Sequence, residues 1–210
     1  MVKSKGFAVS GLIGILFFAL FFYLIFNRDG GKKYPPGILV ESVPEQINFE
    51  AKKVLEEHKG YTVAAKASFK GSARVLSTKR YRFDRGAKLV PVDLALGWME
   101  MSDQSVIDEL KISQRTRFYY WKTKGNSFPI PREKIEHNSA NMHMIPSNKQ
   151  IEKTLKSISK GDIISFEGYL VDASKKDGSF TWNSSMTRTD TGGGACEVVY
   201  LLSLNIDRFP

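Results

Sequence analysis

The feature that most constrains this chain is an apolar stretch close to its N-terminus. Residues 7–26, FAVSGLIGILFFALFFYLIF, are twenty in number and include no formally charged side chain. At a rise of about 1.5 Å per residue, a helix of this length covers about 30 Å, the thickness of the hydrocarbon core of a bilayer. The sequence therefore predicts one transmembrane helix from Phe7 to Phe26.

The residues around this stretch favour an uncleaved anchor over a removable signal peptide. Lys3 and Lys5 precede it, but the following residues 21–29, FFYLIFNRD, offer no pair of small side chains for signal peptidase. Lipid attachment just after the stretch would need a cysteine there, and the sole cysteine of the sequence is Cys196. We predict an N-terminal tail at 1–6, an anchor at 7–26, a linker at 27–44 and a globular domain at 45–210.

The charge distribution constrains the partners and the membrane orientation of the chain only weakly. The sequence has 31 Lys and Arg against 22 Asp and Glu, and without Lys3 and Lys5 the balance is 29 − 22 = +7. This balance suits several acidic partners and identifies none of them. Basic residues flank both ends of the stretch, but a short basic tail favours a cytoplasmic N-terminus and translocation of the domain. A single cysteine excludes an intrachain disulfide.

The domain has the sequence pattern of an α+β, β-rich fold. Residues 61–67 and 72–77 alternate in polarity around Lys70-Gly71, which predicts two strands and a turn. Residues 162–173, 179–188 and 197–206 predict a C-terminal β-meander or small barrel, with a bulge at Gly168 and a hairpin turn at 175–178. Two or three short helices are expected, among them 102–110 and a helix that Ser147 caps and Gly161 ends.

Asp93 stands out because it interrupts the apolar segment 89–101, LVPVDLALGWMEM. A buried carboxylate needs a charged or hydrogen-bonding partner. The nearby Arg82 and Arg85 are the partners that we expect, in a structural ion pair or, alternatively, around a catalytic acid.

The segment 115–122, RTRFYYWK, alternates cations with aromatic side chains. Single-stranded nucleic acids bind to surfaces of this composition, since bases stack on rings and cations meet phosphates. An amphipathic strand that buries its aromatic side chains gives the same pattern and is the interpretation that we prefer, so we do not predict nucleic acid as a partner.

Two of the three histidines, His137 and His143, lie in the segment 129–146, PIPREKIEHNSANMHMIP. Their spacing fits neither two ligands on one helical turn nor a zinc motif. Cys196 or Asp190 could complete a metal site with them only if the fold brought these distant residues together. We predict no metal site and no cofactor, with both histidines hydrogen-bonded inside the fold.

The segment 187–197, TRTDTGGGACE, is the second conspicuous place. Asp190-Thr191-Gly192 matches an aspartic-protease triplet, but no apolar strand precedes it. Gly192, Gly193 and Gly194 could bind an anion through backbone N–H groups with the help of Arg188. Cys196 could be a nucleophile with His137 or His143 as its base, although the neighbouring Glu197 would raise its pKa; a buried structural cysteine is the alternative.

Three phrases carry a resemblance to a known family: YRFDRGAKLVPVDLALGWMEMSD, IEHNSANMHMIP and SSMTRTDTGGGACEVVY, which lie between Tyr81 and the C-terminus. This part of the chain resembles a family of bacterial envelope proteins that have one N-terminal span and no assigned activity. The resemblance implies a bacterial inner-membrane protein and transfers no ligand, cofactor or reaction.

Two functional hypotheses follow. The first is a non-catalytic domain that is anchored in the lipid bilayer by Phe7 to Phe26 and acts at the cell envelope by binding an envelope protein or a ligand. The second is a membrane-tethered hydrolase or metal-dependent enzyme that uses His137, His143, Asp190 and Cys196. They differ in whether these four side chains meet in one cleft.

Overall fold

The structure is a computed structural model that describes residues 31–55, 57–187, 190 and 195–207, together with Phe18. The predicted span at 7–26 lies outside the described residues apart from Phe18, as does the start of the predicted linker. Among the described residues, no helix is both long enough and apolar enough to cross a membrane.

Strands dominate the described part of the chain, which confirms the prediction of a β-rich, mainly antiparallel fold with few short helices. The strands are β1 (Glu45–Val54), β2 (Thr62–Arg80), β3 (Val92–Gly97), β4 (Leu110–Arg115), β5 (Phe118–Thr123), β6 (Ser139–Pro146), β7 (Ile163–Ser174), β8 (Thr181–Asn183) and β9 (Glu197–Asp207). The helices are a 3-10 turn (Met99–Ser102), α1 (Gln104–Asp108), α2 (Arg132–His137) and α3 (Lys149–Ser157).

Strand pairing closes part of the main sheet into a ring. The main sheet has the order β1-β2-β3-β6-β9-β7-β8, and β2 pairs in addition with β7. The ring therefore runs β2-β3-β6-β9-β7 and back to β2. The β6–β9 pair is parallel, whereas the other pairs of the ring are antiparallel. Helix α3 connects β6 to β7.

The inside of the ring holds the largest apolar cluster. Alternate residues of the strands point inward, as the period of two requires, so that Leu94 of β3 and Met142 of β6 are fully buried. Helix α3 adds Ile151 and Leu155 to the same cluster. Asn148 caps this helix by accepting a hydrogen bond from the backbone N–H of Ile151 at 2.9 Å, one residue after the predicted cap.

In the main sheet, two predictions about strands were wrong and the predicted bulge was confirmed. Residues 62–80 form one long strand, not two strands with a turn at Gly71, because this strand pairs with three others along its length. β9 does not extend the hairpin of β7 and β8 into a meander, since it lies on the other edge of β7. The bulge is confirmed: the β7–β9 register shifts at Gly168, where an added Cβ would lie 2.0 Å from the carbonyl oxygen of Tyr200.

The described part of the predicted linker, 31–44, has no regular secondary structure, yet it packs against the domain. Arg74 is 2 % exposed and donates to the carbonyl oxygens of Ser102, at 2.9 Å, and Lys32, at 3.3 Å. The Ser102 hydroxyl accepts the backbone N–H of Val40 at 3.0 Å, and Val40 is itself buried. Burial lowers the pKa of Arg74, which lacks a carboxylate partner in direct contact among the described residues. This segment is thus fixed to the domain by a buried arginine.

Candidate functional site

Strand β6 carries a row of polar side chains on its outward face. Because successive side chains alternate between the two faces, Ser139, Asn141 and His143 point away from the ring while Met142 and Met144 fill it. All three polar residues are less than 9 % exposed. Something must therefore cover this face of the ring.

The β4–β5 hairpin covers it. The strands are joined at Thr116 and Arg117, whose φ angles of 50° and 70° are those of a tight hairpin turn. The prediction of one strand across 115–122 was therefore wrong. The Tyr119 hydroxyl lies 3.3 Å from the Ser139 hydroxyl, and the Asn141 side-chain N–H donates to the carbonyl oxygen of Arg117 at 3.0 Å. Buried polar groups of β6 thus hold the hairpin in place.

Arg117 makes the strongest of these contacts. Its Nη1 donates to Asp93 Oδ1 at 2.8 Å, and its Nε and Nη2 donate to the two oxygens of Asp84 at 3.0 and 2.7 Å. Its guanidinium lies over the ring of Tyr81, with 3.5 Å between Cζ and the ring centroid. The partner of Asp93 is therefore Arg117, and the prediction of Arg82 or Arg85 was wrong, because the hairpin brings a distant arginine to a buried carboxylate.

His143 belongs to the same buried cluster. Its Nδ1 is 3.0 Å from Asp93 Oδ1, although the two groups are not aligned as a hydrogen bond, and its ring lies 4.3 Å from the ring of Trp182 between centroids. Burial, followed by the charge of Asp93, raises the pKa of Tyr81 to about 12. The cluster is closed to solvent, since Asp93 is 0 % and His143 is 3 % exposed.

Asn141 links the hairpin to Cys196. Its Oδ1 accepts a hydrogen bond from Gln114 at 2.7 Å, and its Nδ2 is 3.6 Å from the sulfur of Cys196. Burial raises the pKa of the Cys196 thiol to about 11, and the charges of Glu197, Asp93 and Asp190 act in the same direction. The thiol is consequently protonated at neutral pH, unlike the activated thiolate of a catalytic cysteine.

A cleft of about 310 Å³ opens between the hairpin and the described residues before and at the start of β9, among them Thr187, Asp190 and Cys196. Five aromatic side chains line it: Trp98, Phe118, Tyr119, Tyr120 and Trp121. Polar side chains form the rest, among them Glu136, Ser139, Asn141, Thr187, Asp190, Cys196 and Glu197. Among the described residues that line the cleft there are three carboxylates and no lysine or arginine.

Only two of the four residues of the enzyme hypothesis line the cleft. Cys196 and Asp190 both line the cleft, where Asp190 accepts a hydrogen bond from the Ser185 hydroxyl at 2.6 Å. His143 lies in the buried cluster with Asp93, and His137 ends α2, 3.6 Å from Glu133. Among the described residues, neither histidine is hydrogen-bonded to Cys196. Arg188, Gly192, Gly193 and Gly194, the predicted anion-binding residues, lie outside the described residues.

A metal centre was not predicted, and within the ranges that the structure describes no group of three or more His, Cys, Asp and Glu side chains is placed to hold a metal ion. The sequence does contain a signal for the polar row on β6. The alternation Ser-Ala-Asn-Met-His-Met at 139–144 is that of a strand with one buried apolar face. Arg117 had no comparable signal, because its partners are 24 and 33 residues away in sequence.

Comparison of the chain with family models, with curated protein sequences and with solved structures gave no match.

Proposed function

We propose that this protein is a non-catalytic binding domain, anchored in the bacterial inner membrane by Phe7 to Phe26, and that its ligand occupies the cleft between the β4–β5 hairpin and β9. The observation that carries the proposal is the cleft itself, whose lining includes five aromatic side chains and three carboxylates. Concave sites that combine aromatic surface with a few polar groups are the usual binding sites of proteins.

The connectivity of the ring supports this position. Five strands close in the order β2-β3-β6-β9-β7, with a parallel pair between β6 and β9 and a helix between β6 and β7. We infer that this is a five-stranded Greek-key barrel of the OB type. Such barrels bind ligands on the face of their second and third strands and on the loops beside it. Those strands correspond here to β3 and β6. The hairpin covers their outward face, and the cleft lies beside it. A fold of this kind hosts many functions, so the ligand must be argued from the side chains.

The lining of the cleft favours an uncharged or positively charged ligand with a flat apolar face. Phe118 and Tyr120 are 41 % and 44 % exposed, so their rings are accessible for stacking. The carboxylates of Glu136, Asp190 and Glu197 accept hydrogen bonds, but they repel an anion. A sugar unit combines both properties, since it presents an apolar face and several hydroxyl donors, whereas a nucleic acid presents phosphates to carboxylates.

The enzyme hypothesis receives less support. It needs a base beside Cys196, and the contact of Cys196 is with the amide of Asn141, which cannot take a proton. A thiol with a pKa of about 11 is also a weak nucleophile at neutral pH.

The ligand proposal is tested with the full chain in a nonionic detergent by following tryptophan fluorescence, because Trp98 and Trp121 line the cleft. The probes are tri-N-acetylchitotriose, which is uncharged, chitotriose, which is cationic, and an oligothymidylate, which is anionic. We expect one or both sugars to change the fluorescence in a saturable way and the oligonucleotide to have no such effect.

Tyr120→Ala should weaken sugar binding about tenfold, since stacking on one ring contributes about 1 to 3 kcal/mol. Phe83→Ala is the matched control, because it removes an exposed ring that does not line the cleft. Sugar binding that both variants lower equally, a response to the oligonucleotide alone, or no response to either sugar would contradict the proposed ligand class.

The location is tested separately with two C-terminal fusions of the full chain. An alkaline phosphatase fusion is active outside the cytoplasm, and a fluorescent-protein fusion reports the cytoplasm. We expect an active phosphatase, in agreement with a periplasmic domain. A silent phosphatase together with a bright cytoplasmic reporter would refute that orientation and leave the ligand proposal standing.

A further inference from the structure

The loop that connects β2 to β3, residues 81–91, is held firmly at several points. Arg117 donates to both oxygens of Asp84 and, from its backbone N–H, to the Tyr81 hydroxyl at 3.1 Å. At the other end of the loop, Leu89 and Val90 are fully buried. The conformation of this loop is therefore fixed by the core and by the hairpin.

This fixed loop nevertheless exposes a large apolar side chain. Phe83 is 98 % exposed, although it lies between Arg82 and Asp84 in a loop whose neighbouring residues are pinned. A single exposed apolar residue is common on protein surfaces and needs no explanation by itself. Phe83 supports an inference because it lies next to a cationic concavity.

The concavity has a volume of about 550 Å³ and begins at the same loop. Its charged lining comprises five cations, Lys59, Arg80, Arg82, Lys88 and Lys156, and one anion, Glu152, so that the formal charge is 5 − 1 = +4. Lys59 and Lys156 both pair with Glu152. Among the described residues, Arg82 and Lys88 form no ion pair, and both are exposed. The concavity thus presents uncompensated positive charge to solvent.

We propose that this loop and concavity form a second membrane contact, in which Phe83 enters the bilayer interface and the cations bind the phosphates of anionic phospholipids. Aromatic side chains are favourable at the interface, where part of the ring leaves water, and lysine and arginine near an anionic surface add attraction that salt screens. Soluble phosphates could satisfy the cations but would give the exposed ring no apolar environment. A lipid satisfies both features at once, and this is the reason for preferring it. The contact is independent of the ligand in the cleft, whose lining residues are different.

The test uses the full chain with Phe83→Trp, reconstituted in nanodiscs whose phosphatidylcholine has brominated acyl chains, which quench tryptophan on contact. The wild-type chain, with its three native tryptophans, supplies the background. We expect the additional tryptophan to be quenched in nanodiscs with about 30 % phosphatidylglycerol and much less in phosphatidylcholine alone, because the anionic lipid supplies the attraction. Phe128→Trp controls for position, since Phe128 is exposed but lies on another loop.

Charge reversal then tests the role of the cations. Arg82→Glu with Lys88→Glu, in the Phe83→Trp background, should abolish the quenching in anionic nanodiscs. Lys111→Glu with Lys122→Glu changes the net charge by the same amount on the exposed β4–β5 pair, outside the concavity, and should leave the quenching unchanged. Thermal unfolding of each variant verifies that it folds.

A parallel calorimetric titration of the full chain in nonionic detergent with inorganic pyrophosphate separates lipid binding from binding of a soluble phosphate. One result would overturn the proposal: the wild-type chain binds pyrophosphate, the Arg82→Glu, Lys88→Glu variant does not, and the tryptophan at position 83 is not quenched in nanodiscs. The concavity would then bind a soluble anion. Equal quenching in both nanodiscs, or equal loss in the two charge-reversed variants, would overturn it as well.

Discussion

Arg117 is the residue whose replacement tests the described architecture most directly. Arg117→Met removes the guanidinium but keeps an unbranched side chain of similar reach. The exposed fraction is 15 % for the Arg117 side chain and 0 % for that of Asp93, so the substitution leaves a carboxylate buried without its cation. Removing one partner of a buried ion pair costs about 3 to 5 kcal/mol.

The other contacts of Arg117 add less to this cost. Asp84 is 39 % exposed at its side chain, so its pair with Arg117 contributes at most about 1 kcal/mol. Stacking on Tyr81 contributes about 0.5 to 1 kcal/mol. We therefore expect Arg117→Met to lower the free energy of unfolding by about 4 kcal/mol, mainly through Asp93, and to lower the Tm by about 8 to 16 °C for a domain of this size.

The assay is urea unfolding of the full chain in nonionic detergent, followed by tryptophan fluorescence, because Trp182 lies 5.3 Å from the Arg117 guanidinium. Arg115→Met is the matched control: this arginine is exposed on the same hairpin and should cost less than about 0.5 kcal/mol. Asp84→Asn should cost about 1 kcal/mol or less.

Coupling between Arg117 and Asp93 separates the proposed cause from general damage to the hairpin. If the cost arises from the unpaired carboxylate, adding Asp93→Asn to Arg117→Met should recover about 1 to 2 kcal/mol. The reasoning would be refuted if Arg117→Met cost less than about 1 kcal/mol, the lower limit for a group left unpaired in the interior. Strictly additive costs of the two substitutions would refute it too.

Three further predictions concern the bulge, the docked segment and the cysteine. Gly168→Ala should destabilise the domain by about 3 kcal/mol or more, because the added Cβ would lie 2.0 Å from a backbone oxygen of β9. Gly125→Ala is the control, since a Cβ at Gly125 would meet no atom within 4 Å, and it should not destabilise the domain. Thermal unfolding compares the two variants. Arg74→Met should accelerate hydrogen exchange at the amides of Leu39 and Val40 about tenfold or more. These amides donate to the Ser102 hydroxyl, and Arg74 donates to the Ser102 carbonyl oxygen. Lys79→Met, on the same strand, should not affect exchange at these two amides. Cys196 should react with iodoacetamide in a pH-dependent manner with a midpoint near 11, because burial raises its pKa and thiolate is the reactive form; a midpoint at or below about 8.5, the ordinary thiol value, would favour the nucleophile hypothesis again.

Part of the candidate site was accessible from sequence. Cys196, Asp190, Ser139 and Asn141 belong to segments that composition singles out, and all four line the cleft. Local patterns predicted these segments because turn residues, polar clusters and period-two alternation act over a few neighbouring positions. The pattern did not indicate the role of each side chain. Asn141 forms hydrogen bonds with Gln114 and Arg117 of the hairpin, and His143 contacts Asp93.

Strand partners were less accessible than strand positions. The C-terminal strand was predicted at 197–206 and observed at Glu197–Asp207, and the bulge at Gly168 was correct. The meander prediction gave β9 the wrong partner, because its apolar residues suit any buried neighbour and β9 in fact pairs with β6 and β7. Likewise, a glycine at 71 indicates a turn in isolation, but in the ring β2 continues past it and pairs with β7 at this position.

The sequence by itself determined the apolar stretch at 7–26, the β-rich character of the domain, the bulge and the isolated cysteine, since each depends on the identity of residues close together in the chain. Only the tertiary structure decided that the strands close into a ring, that Arg117 neutralises Asp93 and that the hairpin and β9 enclose a cleft between them. The physical reason is that an ion pair or a strand pair depends on distance in space. Arg117 and Asp93 are 24 positions apart in the sequence and lie within hydrogen-bonding reach only in the folded structure.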